Sequence, residues 1–282
     1  MSATTTPRPT TAGGSRAGMP SPLRLGLARA GIELRQFFRE RDSVVFTFAF
    51  PIIMLLIFGS VFSGEIGAGV SFTQYFTAGM IASGVVMSSF QSLAISIAME
   101  RDDGTLKRLR GTPMPPLAYF LGKIGLVLVT ALAQTAILLA VGTGVFGLDL
   151  PSTGALWLRF AAIFLAGTAA GTVLGIAFSS VPRSGKSAAA VVSPVVIVLM
   201  FISGVYFIYS DLPPWMQSVA EVFPLKWMAQ GMRSVFLPQA LEAAEVGGSW
   251  QLGTGMAVLG AWTVVGLVLC VRTFRWLRRD AG

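Results

Sequence analysis

Six apolar stretches dominate this chain: residues 44–62, 75–98, 124–148, 160–181, 188–209 and 252–271. Each is close to the roughly 20 residues that a helix needs, at 1.5 Å rise, to cross the hydrocarbon layer. Hydrocarbon offers no hydrogen-bond partner, so each stretch must satisfy its own backbone as a helix. The predicted fold is therefore all-α and integral to a membrane, with six transmembrane helices. Function has to be sought in what lies between and beside them.

Charge fixes a sidedness. Arg8, Arg16, Arg24, Arg29, Arg35, Arg39 and Arg41 precede the first span. Arg101, Lys107, Arg108 and Arg110 follow the second, Arg183 and Lys186 the fourth, and Arg272, Arg275, Arg278 and Arg279 the sixth. The opposite connections carry only Lys226 and Arg233, a ratio of 17 to two with Lys123 and Arg159 left uncounted near span ends. The positive-inside rule then places both termini in the cytoplasm, as an even number of spans requires. The same placement explains the net charge of +8 without nucleic acid as a partner.

Four segments are expected. Residues 1–20, rich in Thr, Pro, Gly and Ser, read as a disordered cytoplasmic tail. Residues 21–43 hold an amphipathic interfacial helix, with Leu23, Leu27, Ala30, Leu34, Phe37 and Phe38 on one face and Arg29, Glu33, Gln36 and Glu40 on the other. Residues 44–272 form the six-helix domain, and 273–282 a basic tail. Between spans five and six, Pro213-Pro214-Trp215 opens a helical stretch, Phe223-Pro224 breaks it, and a second stretch with Trp227 comes next. Both stretches are too short to span and read as external re-entrant or interfacial helices, with Trp215 and Trp227 suited to the headgroup layer. Gly167, Gly171 and Gly175 recur every four residues, which lets a neighbouring backbone come close.

The absent chemistry narrows the function. With no histidine and one cysteine, Cys270, neither a His-based triad nor a metal site is expected. No span holds Asp or Glu, which disfavours proton coupling. Ser184-Gly185-Lys186-Ser187 imitates the end of a phosphate loop, but Ser180 stands where that loop needs glycine, so ATP binding is not expected here. Glu65, Asp149 and Asp211 lie apart on the external side with no second catalytic group beside them in sequence.

The loop Glu100-Arg101-Asp102-Asp103-Gly104-Thr105-Leu106-Lys107-Arg108-Leu109-Arg110-Gly111-Thr112-Pro113 carries the strongest signal. Asp103 is placed to cap a short helix, and Leu106 and Leu109, three apart, share a face with no membrane to enter. Two readings fit: docking into a groove of another protein, or a basic loop held by phosphate headgroups. The pattern Glu-Arg-x-x-Gly-Thr-Leu-x-x-Leu-x-x-Thr-Pro resembles the loop after the second helix in permeases of type-2 ABC exporters. The drug-efflux branch that includes the daunorubicin-resistance permease is the most similar. The resemblance extends over the topology and Phe223-Pro224-Leu225. It implies a coupling helix seated in a separate ABC ATPase subunit, which binds the ATP and Mg, so this chain needs no cofactor of its own. It also implies a second permease chain, as homodimer or heterodimer. Glu100, Arg101, Gly104, Thr105, Leu106 and Leu109 match the motif, and Arg183 and Lys186 join them as further contact candidates.

The implied protein is a permease of the bacterial plasma membrane that effluxes hydrophobic or amphiphilic drugs or lipid-like molecules. Ser88, Gln91, Ser92, Ser96, Gln134 and Thr135 are candidates to line its path, with Ser88, Ser92 and Ser96 on one helical face. Each could equally bond two helices. Trp215, Phe223, Pro224 and Trp227 mark the external gate helices. The alternatives are export of a glycan or lipid-linked polymer on the same scaffold, and, in another class, a membrane enzyme that modifies lipids, or a channel or scaffold.

Overall fold

The computed structural model describes residues 21–62, 64–67 and 69–274. The tails expected at 1–20 and 275–282 lie outside them. Helix α1 is Pro22–Arg39, with Ser21 capping it through Arg24 N–H. Among the described residues six helices are long and apolar enough to cross a membrane. They are α2 (Arg41–Val61), the continuous α3–α4 rod (Phe72–Asp102), α6 (Pro116–Phe146), α7 (Gly154–Phe178), α8 (Gly185–Ile202) and α11 (Leu252–Thr273). Between them stand α5 (Thr105–Arg110), α9 (Pro214–Val222) and α10 (Pro224–Phe236). Strands β1 (Glu65–Gly67) and β2 (Val70–Ser71) form a small antiparallel hairpin before α3. Pro51 and Pro194 lie inside helices that continue through them.

The fifth span is shorter than expected. It ends at Ile202, because Gly204 turns left-handed at φ +71°, and Tyr209 falls in a separate 3-10 turn. The released segment enters the interior, where Val205 and Tyr206 are buried.

The rod α3–α4 is the axis of the fold. α3 (Phe72–Val86) is buried along nearly its whole length, then passes through a π-helical turn at Met87–Gln91 into α4 (Ser92–Asp102). That turn seats on the glycine stripe of α7. A Cβ on Gly175 would lie 2.8 Å from the carbonyl oxygens of Ser89 and Phe90. Ser88, the second residue of that turn, is buried, whereas Ser92 and Ser96 on α4 are half-buried.

α10 is the second departure. All 13 of its residues are buried, packed against α3, α7 and α11. Trp227 is buried and donates Nε1–H to the Glu221 carbonyl at 2.7 Å, so only Trp215, 63% exposed, suits a headgroup layer. Phe223 and Pro224 do mark the break between α9 and α10, and the Phe223 ring stacks on Trp262 at 6.4 Å.

Candidate functional site

The loop after α4 is built by three consecutive side chains. Glu100, Arg101 and Asp102 fan over about 200° of the helix, so each meets a different neighbour. Glu100 accepts from the Tyr119 hydroxyl at 2.7 Å and from Lys123 Nζ at 2.5 Å, both on α6. Arg101 donates to the Ser179 carbonyl at 2.6 Å and to its hydroxyl at 3.0 Å, just past α7. Asp102 Oδ2 accepts the Gly185 N–H at 3.1 Å, at the start of α8. An acceptor at that helix end meets unpaired N–H groups and the positive end of the dipole.

Asp103 lies one residue before the N-cap of α5, which is Gly104, and its Oδ1 accepts the Thr105 N–H at 2.8 Å. Gly104 makes the turn at φ +79°, a conformation that other residues rarely adopt. The exposed leucine pair does not form. Leu106 is fully buried against Leu93, Ile97, Tyr119, Val127 and Ile176, and Leu109 is half-buried beside them. The ends of α4, α6 and α7 leave an apolar socket, and burying a leucine there is worth roughly 1.5–3 kcal/mol. The face that α5 turns outward is therefore basic: Lys107, Arg108 and Arg110 are exposed, as are Arg183 and Lys186 in the neighbouring loop.

Part of the polar side of α1, Arg29 and Glu33, is also turned inward, while Gln36 and Glu40 stay exposed. Glu33 is 4% exposed, paired with Arg29 at 2.6 Å and with Lys123 at 2.9 Å. Lys123 thus joins α1 to Glu100, the first residue of the loop motif. α1 reaches α6 through small residues: a Cβ on Gly125 would lie 2.7 Å from that of Ala30. Leu23, Leu27 and Phe38 remain exposed on the outer side. The sequence pattern alone turned Glu33 to water and gave Lys123 no role. One signal pointed inward: a lysine about two turns inside an apolar helix needs a partner.

Four of the polar residues expected along the path, Ser88, Gln91, Ser96 and Gln134, have hydrogen-bond partners inside the chain. Ser88 donates to Gln134 Oε1 at 3.1 Å, both buried, and Thr135 is buried on the same helix. Gln91 Nε2 donates to the Ser193 hydroxyl at 3.1 Å, bonding the π turn to α8. Ser88 and Gln134 therefore bond two helices in this conformation, and Ser92 and Ser96 stay half-buried on α4.

At the opposite end, Arg233 is fully buried and grips Glu245, with Nε–Oε1 at 2.6 Å and Nη2–Oε2 at 3.2 Å. Its third nitrogen reaches the Gly204 carbonyl at 3.3 Å, and the guanidinium lies 4.7 Å from the Tyr75 ring centre. The pair holds α10 to the segment after α8 and to the connection before α11.

Residues 30–237 match the family described as ABC-2 type transporter. "Probable multidrug ABC transporter permease YbhR" of Escherichia coli K12 is 25% identical over 147 residues, which is 52% of this chain and 39% of that protein. "Putative transport permease YvfS" of Bacillus subtilis strain 168 is 25% identical over 198 residues, 68% of this chain and 77% of that protein. The chain thus spans about two fifths of the length of the E. coli relative. Six helices of spanning length, the loop after the second of them and a family match over most of the chain converge: this is a multi-pass membrane protein of the ABC-2 type transporter family.

Proposed function

We propose that this chain is the membrane subunit of an ATP-driven exporter whose ATPase is a separate protein docked at the basic end. One observation carries the reading. Glu100, Arg101 and Asp102 fasten the loop to α6, to the end of α7 and to the start of α8, while α5 turns its cations outward. A push on α5 is then passed to several spans instead of being absorbed in a slack loop. The contact surface is Lys107, Arg108 and Arg110 with Arg183 and Lys186, and it suits an acidic groove. Leu106 serves as the internal anchor that gives α5 its stiffness.

In this reading both termini are cytoplasmic, as the basic asymmetry requires in a bacterial plasma membrane. A second permease chain completes the path, with Ser92 and Ser96 on its wall and α9 and α10 at its external mouth. The cargo is a hydrophobic or amphiphilic drug or lipid-like molecule, a class consistent with the multidrug wording of the E. coli relative's name. By its loop motif the chain resembles the daunorubicin-resistance branch.

The test replaces Lys107, Arg108 and Arg110 together with Gln, in cells that co-express the ATP-binding ABC subunit of the same gene neighbourhood. Exposed cations contribute little to folding, so the amount of permease in the membrane should stay at the wild-type level. Co-purification of the ATPase and efflux should both fall sharply. Retained co-purification with full efflux would assign the cations to lipid headgroups and end the docking proposal.

A further inference from the structure

Asp149, Glu242 and Arg159, scattered in sequence, line one cavity at the end of the bundle opposite the basic loop. It has a volume of about 480 Å³, within the range of small-molecule sites. Arg159 sits in the first turns of α7 and is held by the Ser234 carbonyl at 3.0 Å. Glu242 is fixed because its Oε1 accepts the Trp250 N–H at 3.2 Å. Asp149 is exposed in the connection between α6 and α7. Among the described residues neither carboxylate forms an ion pair with Arg159. The cavity thus presents a cation and two anions that do not neutralise one another.

Leu156 and Leu252 supply an apolar wall, each at the beginning of a spanning helix. Beside that wall, Trp157 and Leu158 on the first turn of α7 are 40% and 74% exposed, as residues at a lipid boundary would be. The ligand chemistry that fits is a head with both charges on an apolar body. We propose that this cavity binds a zwitterionic phospholipid of the ethanolamine class, its phosphate on Arg159 and its primary ammonium on Asp149 and Glu242. Three N–H donors can serve two carboxylates. A choline head has none, so it would be held by charge alone. The site does not depend on ATP-driven export, so its test can fail while that reading stands, and the reverse.

The full-length chain, purified in detergent, would be titrated with dilauroyl phosphatidylethanolamine, -choline and -glycerol while native mass spectrometry counts retained lipids. The ethanolamine lipid should bind about tenfold more tightly than the choline lipid, a difference of about 1.4 kcal/mol. Asp149→Asn with Glu242→Gln should erase that preference at unchanged thermal stability, and Arg159→Gln should weaken both lipids together. Equal retention of ethanolamine and choline lipids by the wild type would overturn the proposal. So would a preference that survives Asp149→Asn with Glu242→Gln. Displacement by soluble phosphoethanolamine at the same concentration as the lipid would overturn the lipid assignment.

Discussion

The two ends of the bundle handle positive charge in opposite ways. At the basic end Lys123 is internal, between Glu33 and Glu100, and Arg101 is tied to Ser179, while Lys107, Arg108, Arg110, Arg183 and Lys186 face outward. At the far end the two cations that the charge count assigned there are both inside the protein, Arg233 fully buried and Lys226 only 1% exposed. Arg159, near the same end, is tied to a backbone carbonyl. Among the described residues the basic end therefore carries exposed lysines and arginines, and the far end buries both of its counted ones. One end displays cations for a partner or a headgroup layer. The other buries them, and Arg233 holds α10 in place.

The comparison breaks first where a single charge is removed from a buried pair. Deleting one partner leaves an uncompensated charge, at a cost of about 3–5 kcal/mol. Lys123→Met strands two carboxylates, Glu33 and Glu100, whereas Arg233→Met strands only Glu245. Arg29 stays beside Glu33 and softens the first change only in part. Both variants should melt well below the wild type in detergent, Lys123→Met by more. Arg233→Met combined with Glu245→Met should recover much of its loss, because paired replacement removes both charges. Melting of either single variant at the wild-type temperature would show that these ions are not held as the geometry places them.

A smaller, local effect separates the inside of α5 from its outside. Leu106→Ala opens a cavity among Leu93, Ile97 and Tyr119, at a cost of about 2–5 kcal/mol. Since α5 is six residues long and hangs on that anchor, the loss should show as faster amide exchange over Thr105–Arg110. The three-cation replacement with Gln should leave exchange there unchanged. Equal exchange in Leu106→Ala and wild type would mean that the socket does not hold the helix.

Length and apolarity made the spans legible, and proline placed the break between α9 and α10 within a residue. What sequence could not supply was which helices meet. Glu33 looks solvent-facing on a wheel drawn for α1 alone, and becomes internal only because Gly122 and Gly125 let α6 come against that side. Leu106 looks exposed on a six-residue helix until the ends of α4, α6 and α7 close around it. The π turn at Met87–Gln91 is likewise set by its seat on Gly171 and Gly175, residues some 80 positions later. Local period reads a helix well and its neighbours poorly, and the functional end of this protein is made of neighbours.

The far end contains its own contrast, and it yields the smallest effect. Arg233 has a carboxylate partner and stays charged at any accessible pH. Among the described residues Lys226 has none: its buried Nζ makes no hydrogen bond and lies 3.4 Å from the Trp227 ring centre and 5.1 Å from that of Tyr209. Burial draws its pKa down to about 8 from 10.5, with Glu221 and Glu245 opposing and Arg233 assisting. An unfolded chain holds that proton up to the ordinary lysine value, so between about 8 and 10.5 the unfolded state binds more protons than the folded one. Stability contributed through this group must then rise with pH across the window, by at most about 1.4 kcal/mol per pH unit. Other groups titrate there too, so the informative quantity is the difference between wild type and Lys226→Met. Melting temperatures measured from pH 7 to 10.5 should show the wild type gaining on the variant as pH rises. A constant difference over that range would mean that the ammonium has an anion beside it after all, and that both cations of this end are held in the same way.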